Sequence, residues 1–283
     1  MLPRAVLVLG AIGMWWTTKP YFAAIFLVTS ASLSAQWLHY PTAGIPRNPD
    51  GSPNLSAPAP KTADGKPDFS GLWDTDKNRP CPPGGCPDQE VSQEFMNFGW
   101  GLKGGLPYQP WAAELVKARS EQNGKDDPGT QCLPIGFLRL HTDAFYRKII
   151  QLPGLLLILH ERNTSYRQIF LDGRPLPVDP NPSWNGYSVG KWDGDALVIE
   201  TNGFRDGQWL DRAGSPLTDQ AKVTERLRRV NFGRMEVDVT VDDPKAYTKP
   251  WTVRVKLFLV PDTELLDETC LENEHDAGHL VGK

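Results

Sequence analysis

The sequence predicts a mainly β protein: an antiparallel up-and-down meander, closed into a barrel and preceded by a Pro-rich arm and two short helices. Three observations carry that reading. Gly and Pro number 26 each in 283 residues, about 18% together against a usual ~12%, too many breakers for a helical bundle or coiled coil. Hydrophobic residues make up 40% of the chain, which supports a packed core and excludes a disordered protein. From Cys132 onward apolar and polar residues alternate with period two, punctuated by turn pairs. A formal charge of −4 speaks against a nucleic-acid partner, whose phosphates call for a basic surface.

Residues 1–35 hold no acid and two bases, Arg4 and Lys19. Tyr21–Leu33 is a short apolar run after Lys19, followed by Ser34-Ala35-Gln36, the layout of a secretory signal cut near Ala35. The run is too short for a ~20-residue membrane span. A second apolar stretch, Ala5–Trp16, leaves two variants open: a true start at Met14, or an uncleaved N-terminal anchor. The expected compartment is periplasmic or secreted, with no membrane association after cleavage. Cys81, Cys86, Cys132 and Cys270 are an even set in an oxidising compartment. Of three pairings, Cys81–Cys86 across Pro-Pro-Gly-Gly with Cys132–Cys270 ties one local turn and then the two ends of the β body.

Residues 36–89 form the arm, with eleven prolines between Pro41 and Pro87. Within it Asp50-Gly-Ser-Pro-Asn-Leu-Ser56 recurs as Asp64-Gly-Lys-Pro-Asp-Phe-Ser70. Proline at this density removes amide donors and favours extended, non-sheet backbone, so the arm reads as a strap anchored by Phe69, Leu72 and Trp73. Residues 90–130 hold the helices, at 90–98 and 110–122, the second with Trp111, Leu115 and Ala118 on one face. Residues 131–283 are the barrel. Its strands are expected at Lys148–Gln151, Leu155–Glu161, Ser165–Leu171, Tyr187–Trp192, Ala196–Thr201, Lys222–Val230, Met235–Val241, Thr252–Val260 and Leu265–Cys270. Pro153-Gly154, Asp172-Gly173, Asp193-Gly194 and Asn231-Phe-Gly233 punctuate them. Lys222–Val230 carries charge on both faces, and a charged interior suits a ligand cavity. Closure removes unpaired edges, so a lipocalin- or calycin-like barrel is expected, with a β-sandwich as the alternative.

Several strings are specific: Gly71-Leu72-Trp73, Cys132-Leu-Pro-Ile-Gly136, Asp172-Gly-Arg-Pro-Leu-Pro-Val-Asp-Pro-Asn-Pro-Ser-Trp184, Gly186-Tyr-Ser-Val-Gly-Lys-Trp-Asp-Gly-Asp195 with Leu197–Thr201, and Cys270-Leu-Glu-Asn-Glu274. Together they resemble a family of secreted bacterial proteins, common in environmental proteobacteria and acidobacteria, that has no established activity. The resemblance covers most of residues 65–280. Leu138, where the family pattern has Pro before Arg139, departs from it. It implies architecture and export, not chemistry.

His160-Glu161 closes the apolar run Leu155–Leu159, so one of the two side chains points inward. A carboxylate or imidazole in an apolar barrel has a perturbed pKa suited to acid–base work. His141 and Asp143 are expected to join them from the mouth. The competing reading pairs Glu161 with Arg167 or Arg174 as a structural bridge. Trp184, Trp192, Trp209 and Trp251 sit beside turns, where indoles stack on ligands or plug barrel ends; with Arg167 and Arg174 they are the candidate ligand-binding residues. His275 and His279, at i and i+4 with Glu272 on the same face, form a possible divalent-metal site. No other cofactor is expected, since Gly99-x-Gly101-x-x-Gly104 lacks the strand and βαβ context of a dinucleotide fingerprint. Three roles follow: an exported barrel that binds a small organic ligand in its cavity; a periplasmic enzyme of hydrolase, lyase or isomerase type; a structural envelope protein.

Overall fold

Hairpin chemistry lays down most of the architecture. The computed structural model describes residues 40–76, 98–99, 102–143 and 145–270. In chain order it contains β1 (Gly71–Thr75), α1 (Pro110–Glu121), α2 (Gly136–Arg139), β2 (Arg147–Leu152), β3 (Leu155–His160), β4 (Tyr166–Phe170), β5 (Tyr187–Asp193), β6 (Ala196–Asn202), β7 (Gln208–Trp209), β8 (Pro216–Leu217), β9 (Lys222–Asn231), β10 (Arg234–Asp242) and β11 (Trp251–Leu259). Nine of these close into a barrel in the order β1-β11-β10-β9-β6-β5-β4-β3-β2. The turn pairs fall where the sequence puts them. Leu152 faces Leu155 across Pro153-Gly154, where proline presets the first turn position and Gly154 takes φ +74. Asp193 faces Ala196 across Gly194-Asp195.

Along β9 the alternation is complete: Val223, Glu225, Leu227 and Arg229 are buried, and Thr224, Arg226 and Arg228 are exposed. β10 and β11 repeat it with Met235, Val237, Val239 and Val241 against Val253, Val255, Leu257 and Leu259. These residues form one core with Leu156, Ile158, Ile199 and Trp73.

Three features depart from a plain meander. The first concerns closure. The expected last strand, Leu265–Cys270, takes no place in the sheet. Its position between β2 and β11 is filled by β1, from the arm, so the barrel does not begin at residue 131. The physical reason is local. No proline lies between Pro67 and Pro80, so amide donors return, and Trp73 is fully buried with its indole Nε1 donating to the Phe69 carbonyl at 2.9 Å. Gly71, at φ +139, is required there, because a Cβ would meet Leu259 Cδ1 at 2.5 Å. The second is the β4–β5 seam, which is parallel because the chain crosses back through the proline-rich loop 171–186. The third is the excursion between β6 and β9, which holds the small β7–β8 ribbon.

The rest of the arm keeps its sequence echo as a structural one. Asn48 N bonds Ser52 O at 2.9 Å, Gly51 N bonds Asn48 O at 2.9 Å and Asn54 N bonds Pro46 O at 2.7 Å. The same three bonds recur as Thr62 N to Lys66 O, Gly65 N to Thr62 O and Asp68 N to Pro60 O, at 2.8–2.9 Å. The first loop docks on the β9–β10 turn through Leu55 O and Ala57 O, which accept from Gly233 N and Phe232 N at 2.8 Å. The second buries Phe69 against Trp192, ring centroids 5.7 Å apart. α1 matches its expected span, and of the expected face Leu115 and Ala118 are half-buried beside Ala112, Val116 and Arg119, while Trp111 departs from it. Trp111 lies exposed, tied by Nε1 to the Lys245 carbonyl at 2.7 Å. The helix expected at 90–98 lies almost wholly outside the described residues, as do the signal segment, the Cys81–Cys86 pair and the Glu272, His275, His279 set.

Candidate functional site

Alternation along β3, β4 and β9 sends His160, Arg167 and Glu225 into the barrel, where they meet Arg147 from the start of β2 and His141 from the turn after α2. The Glu225 carboxylate is fully engaged. Its Oε1 lies 3.2 Å from His141 Nε2, and its Oε2 accepts from Arg167 Nη2 at 2.6 Å. Arg167 also donates to Ser188 Oγ at 3.1 Å and Thr201 Oγ1 at 2.9 Å, and its guanidinium lies 3.5 Å from the Phe137 ring centroid. Arg147 Nη1 lies 2.8 Å from His141 Nδ1, while its Nη2 reaches Thr75 Oγ1 at 2.7 Å and Leu140 O at 2.5 Å.

A guanidinium only donates, so His141 Nδ1 accepts and its hydrogen sits on Nε2, directed at Glu225. Burial would raise the Glu225 pKa; the Arg167 charge and the His141 hydrogen bond reverse this and hold it at about 2. Burial drops His141 to about 4 and pushes His160 well down, with Arg147 adding to both. Arg147 itself falls to about 10 through burial. His160 Nε2 has no hydrogen-bond partner among the described residues. The space beside it measures about 20 Å³, room for one water and no organic molecule.

A second constellation lies outside the barrel, between the end of α1, the 3-10 turn Pro128–Gln131 and the segments around Asp143 and Arg212. It is a cleft of about 460 Å³ whose charged lining is Arg119, Arg139, Arg162, Arg212, Asp127 and Asp143. Asp127 caps the 3-10 turn by accepting from Gly129 N and grips Arg139 with both oxygens, at 2.5 and 2.7 Å. Arg162 donates to Glu268 at 2.7 Å. Arg119 lies 4.4 Å from the Trp209 ring centroid and donates to Gly214 O at 2.6 Å. Asp143 Oδ2 stands 3.7 Å from Arg139 Nε, beyond hydrogen-bond reach. Asp143 Oδ1 and Arg139 Nε are both buried without a partner among the described residues. Burial raises the Asp143 pKa against the pull of Arg139 and Arg212. The Cys132–Cys270 disulfide forms beside this cleft, with Cys270 Sγ 3.9 Å from Gly129 O.

The residues nominated from sequence are thus divided. His160, His141 and Arg167 meet in the interior, and Asp143 lies in the cleft. Glu161 sits half-buried at the end of β3, its carboxylate accepting from Tyr146 N at 3.1 Å; it pairs with neither Arg167 nor Arg174. Arg174 is at the surface, held by Asp172 and Tyr187. Of the tryptophans, Trp209 and Trp251 are buried, Trp251 against Phe98 and Tyr247. Trp192 clamps the arm, and Trp184 stands 5.5 Å from the Arg205 guanidinium. None of the four lines either constellation.

Glu225 and Arg147 escaped nomination, although Glu225 belongs to the inward set Val223, Glu225, Leu227 and Arg229 that strand alternation gives. The cleft arginines come from four separate segments and share no motif. Among the described residues no group of three His, Cys, Asp or Glu is placed to hold a metal ion, and no helix is long and apolar enough to cross a membrane. No family model matches the chain, and no curated protein matches it.

Proposed function

We propose that this is an exported barrel protein that binds a small organic ligand, and that the ligand sits in the arginine-lined cleft rather than inside the barrel. The comparison of volumes carries the reading. About 460 Å³ in the cleft falls within the range of small-molecule sites, whereas the interior offers about 20 Å³. Convergent charged groups that are incompletely satisfied give the cleft a reason to take a partner. The interior groups bond chiefly to one another, which weighs against an acid–base enzyme working there. The Cys132–Cys270 bridge supports an oxidising compartment and hence export.

The test starts with the protein purified from a periplasmic fraction. Its native and denatured masses are compared, and a broad library is screened by thermal shift. The expected result is a small-molecule mass lost on denaturation, or hits in the screen, that disappear in the cleft-filling variant Thr130→Trp. Ligands that bind this variant unchanged would move the site elsewhere.

A further inference from the structure

We propose that the crevice beneath the Pro-rich arm is a second binding site, separate from the cleft, and that it takes a compact, uncharged, apolar molecule. The arm makes the space. Its start is clamped to the segment after β11: Thr42 N donates to Asp262 Oδ1 and Asp262 N donates to Thr42 Oγ1, both at 2.8 Å, and Arg47 holds the same carboxylate at 2.6 Å. Its first loop is fixed to the β9–β10 turn through Leu55 O and Ala57 O. Pro46, Pro49 and Pro53 lie between these anchors. Proline fixes φ and stiffens the backbone, so the stretch bridges its anchors instead of collapsing onto the barrel. About 340 Å³ is left beside it, within the range of small-molecule sites. Ala43 and Gly44, both exposed, line this space, so it is reached from solvent as it stands.

The lining sets the class of occupant. Leu72, Phe232 and Leu259 bring buried apolar side chains from β1, the β9–β10 turn and β11, and Ile45, Pro60 and Val260 bring half-buried ones. Charged groups along the crevice number two of each sign, Lys148 and Arg229 against Asp68 and Glu264, and each is engaged. Lys148 Nζ donates to Glu264 at 2.6 Å. Arg229 donates to the carbonyls of Asp68, Ser70 and Phe232. The Asp68 carboxylate accepts from Ser70 N at 2.8 Å, and its charge acts on Arg229. None of the buried polar side-chain atoms that lack a partner among the described residues belongs to this crevice. An ion entering it would give up hydration and meet no uncompensated counter-charge. An uncharged apolar molecule gains by leaving water and asks nothing of the polar groups.

Two fluorescent probes of one skeleton isolate the charge: phenylnaphthylamine is uncharged, and anilinonaphthalene sulfonate adds one negative charge. Both brighten on leaving water. Titrated into the exported protein, phenylnaphthylamine is expected to saturate at about one equivalent and to bind at least about tenfold more tightly than the sulfonate, a modest desolvation cost. Ala43→Trp from the arm and Thr263→Trp from the segment after β11 fill the crevice from two sides, at residues that are exposed and half-buried. Each should weaken phenylnaphthylamine by about tenfold or more with the melting temperature unchanged, whereas the cleft variant Thr130→Trp should leave it as it was. Absence of saturable binding, or binding that only Thr130→Trp weakens, would overturn the site. The sulfonate binding as tightly as the uncharged probe, and weakened by the same two variants, would overturn the chemical class. Because Thr130→Trp reads the cleft and the other two variants read the crevice, either proposal fails or stands without the other.

Discussion

The barrel interior and the flank cleft are built from the same materials, buried arginines against buried carboxylates, yet they do opposite things with them. Inside, Glu225 spends both oxygens on His141 and Arg167, and Arg167 spends further donors on Ser188 and Thr201. On the flank, Asp143 faces Arg139 across 3.7 Å and leaves Oδ1 bare. The interior network still leaves Arg147 Nε and His160 Nε2 without hydrogen-bond partners among the described residues, but its carboxylate is fully engaged, and such a network fills its own space and fixes the arrangement of the strands that contribute to it. An unsatisfied one stores a demand that a ligand can meet. Buried charge and missing partners occur in both regions; what separates them is the adjoining volume, about 460 Å³ on the flank against about 20 Å³ inside.

The most direct way to break the contrast is Glu225→Leu. It strands Arg167 without its counter-charge, and loss of one member of a buried pair costs about 3–5 kcal/mol, read as a fall in the urea midpoint. A loss below about 1 kcal/mol would mean that the interior network is not what holds these strands. Next in size is the disulfide. Cys132→Ser with Cys270→Ser opens a bridge spanning 138 residues and is expected to cost about 2–4 kcal/mol. Its effect should be lopsided, because the bridge adjoins Gly129 in the cleft wall: ligand affinity falls, while the imidazole NMR signals of His141 and His160 stay in place. Equal disturbance of both would mean that the two regions share one packing unit.

Sequence legibility divides along the same line. Strand positions were readable because alternation and turn pairs are local, and so were the two faces of β9, but since both carry charge the pattern did not say which of them faces inward. Pairing Cys132 with Cys270 needed only the redox context and the ends of the β body. Barrel closure was not readable, since β1 lies in an arm whose proline count masks a proline-free window, and a C-terminal segment of better apparent pattern, Leu265–Cys270, competed for its place. The cleft was least legible. Arg119, Arg139, Arg162 and Arg212 come from a helix end, α2, a 3-10 turn and a loop, and only the fold brings them together. Glu161 was readable as a residue beside the interior but not as one facing it: β3 ends at His160, and Glu161 already turns away.

Acid sharpens the comparison at smaller amplitude. His141 folded titrates near 4 against about 6.5 unfolded, and His160 is displaced the same way. Between those values the unfolded chain binds protons that the folded chain refuses, so stability falls as pH drops from about 7 to 5, by about 2 kcal/mol for His141, and His160 adds a loss of the same sign. Glu225, held near 2, continues the loss below about pH 4.5, where the unfolded carboxylate protonates first. His160→Leu should make the fall in denaturant midpoint between about pH 7 and 5 smaller; an unchanged fall would show that His160 is not held neutral by the fold.

Asp143 carries the opposite sign. Its folded pKa is raised by burial, so its contribution is fully present at low pH and is lost as pH rises through the folded value. Ionised Asp143 is thus a cost at pH 7, offset only in part by Arg139 at 3.7 Å. Asp143→Asn is expected to leave stability at pH 7 unchanged or raised, by no more than about 1 kcal/mol, with the gain disappearing in acid. A loss of several kcal/mol at pH 7 would make Asp143 a structural partner of Arg139 rather than a bare acceptor. Two buried carboxylates of one molecule would then respond alike to neutralisation, and the distinction between a carboxylate that holds the barrel together and one left with an unmet oxygen would fail at its most sensitive point.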